Sequence, residues 1–221
     1  MKQERAVRTR QALIRSAAEA FERHGYVEAR LSDISSNAGV SAGALHFHFE
    51  NKAALASTVE ASAAVMLRRA AQGAQHPGMN ALQRLIGTSQ ALAEQFRRDI
   101  VVSAGFRLYC ETPHRTGLDL RGEWLECIHQ LLTAAGEENL LTGEIRQQDA
   151  ATSIAAVTAG FEVLGRLEPE WLSPSSLARF WRLVLPCLAT PEAVATVAPE
   201  FTWPGTAPGG SARVGAAVEE C

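Results

Sequence analysis

The residues from Leu31 to Phe49, LSDISSNAGVSAGALHFHF, combine small and polar side chains in a spacing that can bind DNA. Leu45 and Phe49 lie four residues apart, as on the inward face of a helix. Small and polar residues around them fall nearer the exposed side: Ser41, Ala42, Ala44, His46 and His48. Small residues let a backbone approach a DNA groove closely, and polar ones can bond to phosphates or base edges. The pattern indicates a helix-turn-helix; spacing alone also fits two short packing helices in an ordinary bundle.

Two short helices joined by a tight turn would hold these side chains in place. The first predicted helix runs from about Ser32 to Ala38. Gly39 ends it, because glycine adopts the positive φ that follows a last helical turn without a Cβ clash. Ser41 is a natural N-cap for a second helix, from Ala42 to about His48. The second helix is therefore the one that would enter a DNA groove.

A basic segment precedes this pair of helices. Its cations are Lys2, Arg5, Arg8, Arg10 and Arg15, ahead of apolar residues at helical spacing. Such a segment supplies a salt-dependent attraction to phosphates that does not depend on base sequence. By itself, a run of charge is also what a solvated helix face shows. Its position next to the helix-turn-helix favours DNA binding.

The runs AAEAFERHGY and LSDISSNAGVSAGALHFHFENKAAL resemble the DNA-binding domain of the TetR family of transcriptional repressors, over about residues 8–55. The matching positions are Phe21, Gly25, Tyr26, Ile34, Ala38, Gly39, Val40, Gly43, Leu45, His48, Phe49, Lys52 and Leu55. The resemblance implies an all-α homodimer with a three-helix DNA-binding domain over residues 1–50. It also implies a helical ligand-binding and dimerisation domain over residues 51–197. We expect residues 198–221, rich in Pro, Gly and Ala, to be a disordered tail.

The same resemblance implies which residues contact double-stranded operator DNA: Arg8, Arg30, Ser41, Ala42, Gly43, Ala44, His46, Phe47, His48 and Lys52. Three of them depart from the family pattern. Arg30 stands where a capping Thr is usual, Ala42 where Lys or Arg is common, and His46 where Tyr is common. Each lost phosphate contact weakens binding and lowers its salt dependence. Lys52 remains as a predicted phosphate anchor.

Composition sets further limits on the class of protein. The 221 residues carry a formal net charge of −3, so the positive charge that attracts DNA must be concentrated in one part of the protein. No apolar run is long enough to span a bilayer, and no secretion signal follows the first charges, so we expect a cytoplasmic protein. The spacing of Cys110, Cys127, Cys187 and Cys221 predicts reduced thiols, with a redox switch through two of them as the alternative. We predict no cofactor, no metal site and no enzymatic activity, because no catalytic motif is present.

Helical patterns continue beyond residue 50, with Gly and Pro at the joints. NKAALASTVEASAAVMLRRAA predicts a long connecting helix with Asn51 as its N-cap. Two apolar helices are predicted near the end, over about Asp149–Leu167 and Ser175–Leu188. The first of these helices carries small residues and the second carries large ones. Together they can bury an apolar face, either against a second copy of the protein or within one subunit. We expect a homodimer that spans two half-sites.

Further along the chain, VVSAGFRL and the Trp124 helix extend the resemblance to the gamma-butyrolactone-type autoregulator receptors of Streptomyces and related actinobacteria. The resemblance implies that Trp124 lines the effector pocket; the alternative is a core tryptophan. Trp offers a flat apolar wall and one N–H donor, which suits a ring with an alkyl tail. The other predicted ligand-binding residues are Thr158, Val157, Arg107, Tyr109 and Phe161. Ala63 stands where close relatives often carry a Gln near the pocket, so different polar contacts are expected.

The sequence therefore predicts a repressor that a small diffusible molecule releases from a pseudo-palindromic operator. A butyrolactone, a butenolide and a furan acid all remain open as the effector. A pocket Arg would favour a carboxylate, whereas a lactone needs only neutral donors. Control of secondary metabolism, such as antibiotic production, is the expected role. The alternative is a drug-responsive repressor of an efflux gene, although the 6% aromatic content favours a narrower pocket than such a repressor needs.

Overall fold

The computed structural model describes residues 2–111 and 117–197, and within these ranges the regular structure is helical. Ten α-helices follow one another: α1 Lys2–Glu28, α2 Leu31–Asn37, α3 Ala42–His48, α4 Lys52–Gly73, α5 Ala81–Arg98, α6 Ile100–Glu111, α7 Leu120–Glu137, α8 Gln147–Gly165, α9 Pro174–Leu188 and α10 Pro191–Val197. A 3₁₀ helix, Pro169–Leu172, joins α8 to α9. The predicted all-α fold is confirmed. The predicted tail, 198–221, lies outside the described residues.

The N-terminal helices pack around one apolar cluster. Leu13 and Phe21 from α1, Ile34 from α2 and Leu45 from α3 are almost fully buried in it. Near the end of α1 the chain kinks at Gly25, where φ is +73°. A positive φ of this size is easy only for glycine, which has no Cβ. The kink turns the chain from α1 toward α2.

Helix α4 connects this cluster to the rest of the chain. Leu55 and Val59, in its first two turns, are buried in the N-terminal cluster, whereas Leu67 belongs to a second cluster with residues of α6. Helices α4 and α6 pack very closely, since a Cβ on Gly105 would lie 2.5 Å from the Cβ of Ala63. Ala63 is fully buried at this crossing. It therefore packs between helices, and it does not line the cavity described below.

The C-terminal helices enclose a separate and larger cluster. Its centre is Trp181 on α9, which is fully buried and whose Nε1 donates to the Ser89 hydroxyl of α5 at 2.9 Å. Ile128 and Leu132 on α7 and Ile154 on α8 pack around it. Burying a tryptophan contributes several kcal/mol only if its N–H finds a partner, and Ser89 supplies that partner.

The predicted helices were found with small shifts at their ends. Helix α2 begins at Leu31, one residue before the predicted start, and α3 spans the predicted Ala42–His48. The predicted joint between the last two helices contains the 3₁₀ helix, and α10 was not predicted. Both begin at a proline, which favours the first helical position.

Candidate functional site

The helix-turn-helix is held by local hydrogen bonds and by its apolar face. Gly39 has φ of +68° at the turn, and the Ser41 oxygen accepts from the backbone N–H of Ala44 at 3.2 Å. Below the turn, the Ser16 hydroxyl of α1 donates to the Ile34 carbonyl at 2.8 Å. Leu45 is buried beside it. The predicted glycine end and serine cap are both present, so α3 has a fixed orientation on the domain.

The outer face of α3 is exposed. Ser41, Ala42, Gly43 and His46 are open to solvent, whereas Ala44 and His48 are half-buried. Phe47 is 81% exposed, and its ring meets the His48 ring edge to face at a centroid distance of 5.3 Å. These predicted DNA-binding residues thus share one short surface. Their contact with DNA stays a prediction.

The predicted charged contacts lie around this surface. Arg30 occupies the N-cap position of α2 without a side-chain cap, and its guanidinium is exposed. Arg8 is exposed on α1. Lys52 has a structural partner: its Nζ donates to the carbonyls of Val27 and Ala29 at 2.9 and 3.0 Å. It also lies 4.9 Å from the centre of the Tyr26 ring. Lys52 therefore fastens the end of α1 to the start of α4, a role that the sequence did not indicate.

A cavity of about 520 Å³ lies between the helices of the C-terminal part. Its wall is mainly apolar and comes from α4, α5, α6, α7, α8 and α9, with Leu172 from the 3₁₀ helix. Apolar cavities of this size with few polar groups are typical of small-molecule sites. Representative wall residues are Leu67, Leu92, Phe96, Phe106, Trp124, Ala155 and Phe161.

Trp124 and Thr158 face each other in the wall of this cavity. The Trp124 Nε1–H donates to the Thr158 hydroxyl oxygen at 2.8 Å, and that hydroxyl donates to the Ile154 carbonyl at 2.8 Å. A threonine hydroxyl has one proton, so its donor capacity is already used. Thr158 thus orients the indole of Trp124 in the cavity wall.

Charged residues at the cavity wall form pairs that the sequence did not indicate. Arg68 on α4 donates to Glu123 on α7 through Nε at 2.8 Å and Nη2 at 2.5 Å. Deeper in the wall, burial raises the pKa of the Glu162 carboxyl, and Arg166, donating at 2.6 Å, opposes that shift. Burial also raises the pKa of the Cys127 thiol, which makes this wall cysteine less reactive.

Three predicted ligand-binding residues lie outside the cavity lining. Arg107 donates to the Glu22 carbonyl and to Glu111, both at 2.7 Å, and so joins α6 to α1. Tyr109 donates through its hydroxyl to Asp119 at 3.1 Å. Val157 is 39% exposed on the outer side of α8, because consecutive helical residues point about 100° apart. The cavity lining thus brings together only Trp124, Thr158 and Phe161 of the predicted set.

An exposed apolar face covers the outer side of α8 and the segment that follows. Leu167 is 82% exposed and Leu183 is 76% exposed, and they are accompanied by Val157, Val163, Leu164 and Trp171. Where exposed apolar side chains form a contiguous patch, they are typical of a surface that contacts another molecule. In the described part of the chain, no helix is both long and apolar enough to cross a membrane.

The class of protein follows from this fold and from the N-terminal surface. Residues 13–59 match the family model of bacterial regulatory proteins of the tetR family. The chain therefore carries a TetR-family N-terminal domain, and its helical architecture is the TetR fold.

Relatives narrow the class further. The chain is 28% identical over 200 residues to the A-factor receptor protein of Streptomyces griseus, covering 90% of this chain and 70% of that protein. A crystal structure of a gamma-butyrolactone receptor, an ArpA-like protein, matches with a TM-score of 0.77 and 28% identity over 89% of this chain and 98% of that one. The TetR-family protein CprB from Streptomyces coelicolor, in complex with its biological operator sequence, matches with a TM-score of 0.74 and 28% identity, over 88% and 95% of the two chains. The resemblance to gamma-butyrolactone receptors is confirmed.

Proposed function

We propose that this protein is a ligand-responsive transcriptional repressor. It binds a pseudo-palindromic operator as a homodimer in the cytoplasm, and a small diffusible signalling molecule of the butyrolactone, butenolide or furan type releases it. Control of secondary metabolism, such as antibiotic production, is the proposed role. The similarity to the A-factor receptor protein and to gamma-butyrolactone receptors supports this proposal over a drug-responsive efflux repressor.

One observation carries the proposal: a single helix belongs to both sites. The first turns of α4 are buried against the helix-turn-helix through Leu55 and Val59. Its last turns supply Leu67, Arg68 and Ala71 to the cavity wall. A ligand that prefers one position of α4 must therefore also prefer one position of the DNA-binding domain. This is the differential interaction that ligand-driven release requires.

The DNA-bound state needs two α3 helices at a fixed distance. Successive major grooves on one side of B-DNA lie about 34 Å apart, so each subunit of a dimer reads one half-site. The exposed apolar face on α8 and α9 supports the proposed dimer, because a second copy would cover Leu167 and Leu183. In this proposal, Val157 belongs to the dimer contact and is no longer assigned to the ligand.

We propose that the released state arises from a change at the cavity wall. The Arg68–Glu123 pair ties α4 to α7, immediately beside Trp124. In our mechanism, a ligand ring packed on Trp124 favours a different spacing of α4 and α7. The shift moves α4 and separates the two α3 helices beyond one helical turn of DNA. Moving a population from 1:99 to 99:1 requires about 5.5 kcal/mol of preference for the released state.

The cavity also defines what the effector must look like. Its mainly apolar wall suits a ring with an alkyl tail, and Trp124 gives the ring a flat partner. Arg107, the cation first considered for a ligand carboxylate, is bonded elsewhere. Arg68 and Arg121 are the guanidinium groups among the described lining residues; because Arg68 is already paired with Glu123, an acidic effector would bind at Arg121.

The test uses the full-length protein and labelled DNA from upstream of its own gene. We expect a shifted band at low salt, and loss of that band when an organic extract of a producing actinobacterial culture is added. Extract from an uninoculated medium is the control. Absence of any shift at low salt, or a shift that extract never reverses, would contradict the proposed function.

A further inference from the structure

The exposed face of α3 lacks the side chains that usually read bases. From Val40 to Phe49 the sequence is VSAGALHFHF, without Arg, Lys, Asn, Gln, Asp or Glu. Arg and Lys read guanine, Asn and Gln read adenine, and acidic residues read cytosine through hydrogen bonds in the major groove. The Ser41 oxygen is used in capping the helix. Polar readout by α3 is thus limited to its histidines and the Ser41 proton.

The side chains that α3 exposes are mainly apolar. Ala42 is open to solvent and Ala44 is half-buried. Phe47 is 81% exposed, although Leu45 and Phe49, two residues before and after it, are buried. The Phe47 ring is held against the His48 ring at a centroid distance of 5.3 Å. A large apolar ring in this position is covered only when another molecule packs on the outer face of the helix.

We propose that α3 selects thymine in its operator by apolar contact with the C5-methyl group, made by Phe47 and by the methyl groups of Ala42 and Ala44. The thymine methyl is the apolar group that base edges present in the major groove, so it is the matching partner for an apolar helix face. This inference rests on the proposed operator binding and names the base chemistry that the same surface reads. Phe47 is the principal determinant, because its ring offers the largest exposed apolar area on α3.

The first experiment removes only the methyl group. Full-length protein selects bound duplexes from a random 30-base-pair library, and the enriched sequence is then made with deoxyuridine in place of each thymidine in turn. Uracil pairs like thymine and lacks only the C5-methyl. We expect uracil at a contacted thymine to weaken binding about fourfold per half-site, the effect of losing one buried methyl group, measured by fluorescence anisotropy.

The second experiment assigns the contact to a residue. In Phe47→Ala, we expect lower affinity for the thymine duplex and a loss of the uracil effect at one position in each half-site. Val65→Ala, a truncation of an exposed apolar residue on α4, serves as the matched control and should keep the full uracil effect.

Each other outcome overturns the inference. Equal affinity for thymine and uracil duplexes would sink it while leaving operator binding intact. A uracil effect that persists unchanged in Phe47→Ala would overturn the assignment to Phe47. Failure to enrich any sequence from the library would contradict both this inference and the proposed function, so the two failures are distinguishable.

Discussion

The part of the predicted DNA-binding surface on α3 comes from consecutive residues of one seven-residue helix, whereas the predicted ligand cavity draws its wall from residues spread between Leu67 and Leu177. The first is a convex, exposed face oriented by nearby bonds such as Ser41 to Ala44. The second is a mainly apolar cavity whose shape depends on how six α-helices, α4 to α9, pack. Residues close in sequence therefore determine which side chains α3 exposes. Contacts between residues far apart in sequence determine which side chains line the cavity. Helix α4 contributes residues to the N-terminal cluster and to the cavity wall, and we propose that it couples the two regions.

The largest expected effect tests whether the two regions are separable in stability. Phe21 is buried in the N-terminal cluster and Trp181 in the C-terminal one. We expect Phe21→Ala and Trp181→Ala each to lower the free energy of unfolding by about 3–5 kcal/mol. Because α4 is buried in the N-terminal cluster and also packs on α5, which contributes Leu82 and Leu85 to the C-terminal cluster, urea denaturation should show one shifted transition in both variants. Two transitions, with only one displaced, would show that the regions are independent.

The next effect sharpens the electrostatics of the DNA-binding surface. Ala42→Lys places a cation where family members commonly carry one. We expect tighter operator binding, with a salt dependence steeper by about one unit of log–log slope per subunit, because each new phosphate contact releases counterions. Anisotropy titrations from low to moderate salt measure the slope. Ala61→Lys, at an exposed position of α4, is the control for net charge alone. An equal change in affinity and salt dependence in that variant would refute a specific contact at position 42.

A smaller effect concerns the cap that orients the recognition helix. Ser41→Ala removes the acceptor for the Ala44 N–H, and we expect a loss of about 1 kcal/mol in unfolding free energy. Ser36→Ala, at an exposed position of α2, should change stability by less than about 0.5 kcal/mol. Thermal and urea denaturation measure both. Equal stability of the two variants would mean that the cap contributes nothing to α3.

The smallest effect concerns the link between the regions. Arg68 and Glu123 are 43% and 42% exposed, so water screens their attraction. A double-mutant cycle with Arg68→Gln and Glu123→Gln should give a coupling energy below about 1 kcal/mol, falling as salt is added. The pair matters because it joins α4 to α7, whose spacing we propose to change on ligand binding. The same cycle measured with effector bound should therefore give a different coupling energy. Identical coupling in both states would remove this pair from the mechanism.

The same contrast explains what could be predicted from the sequence. Gly39 and Ser41 encode the turn and the cap through their own backbone and side-chain chemistry, so the helix-turn-helix was readable locally. Arg107 and Tyr109 were predicted to be polar partners of the ligand, yet their hydrogen bonds to other segments hold them outside the cavity lining. Glu123 met Arg68 across 55 positions of sequence, which no local pattern encodes. The lining of the cavity therefore required the packed structure.

The central claim is that a ligand held against Trp124 releases DNA through α4. The most direct measurement compares wild type, Trp124→Phe and Trp124→Ala on one labelled operator, titrated with the same releasing extract. All three should bind the operator with similar affinity, because Trp124 lies outside the N-terminal cluster that supports the helix-turn-helix. We predict that wild type is released, that Trp124→Phe needs more extract because it loses the bond to Thr158, and that Trp124→Ala stays bound. Release of Trp124→Ala at the wild-type extract concentration would contradict the account.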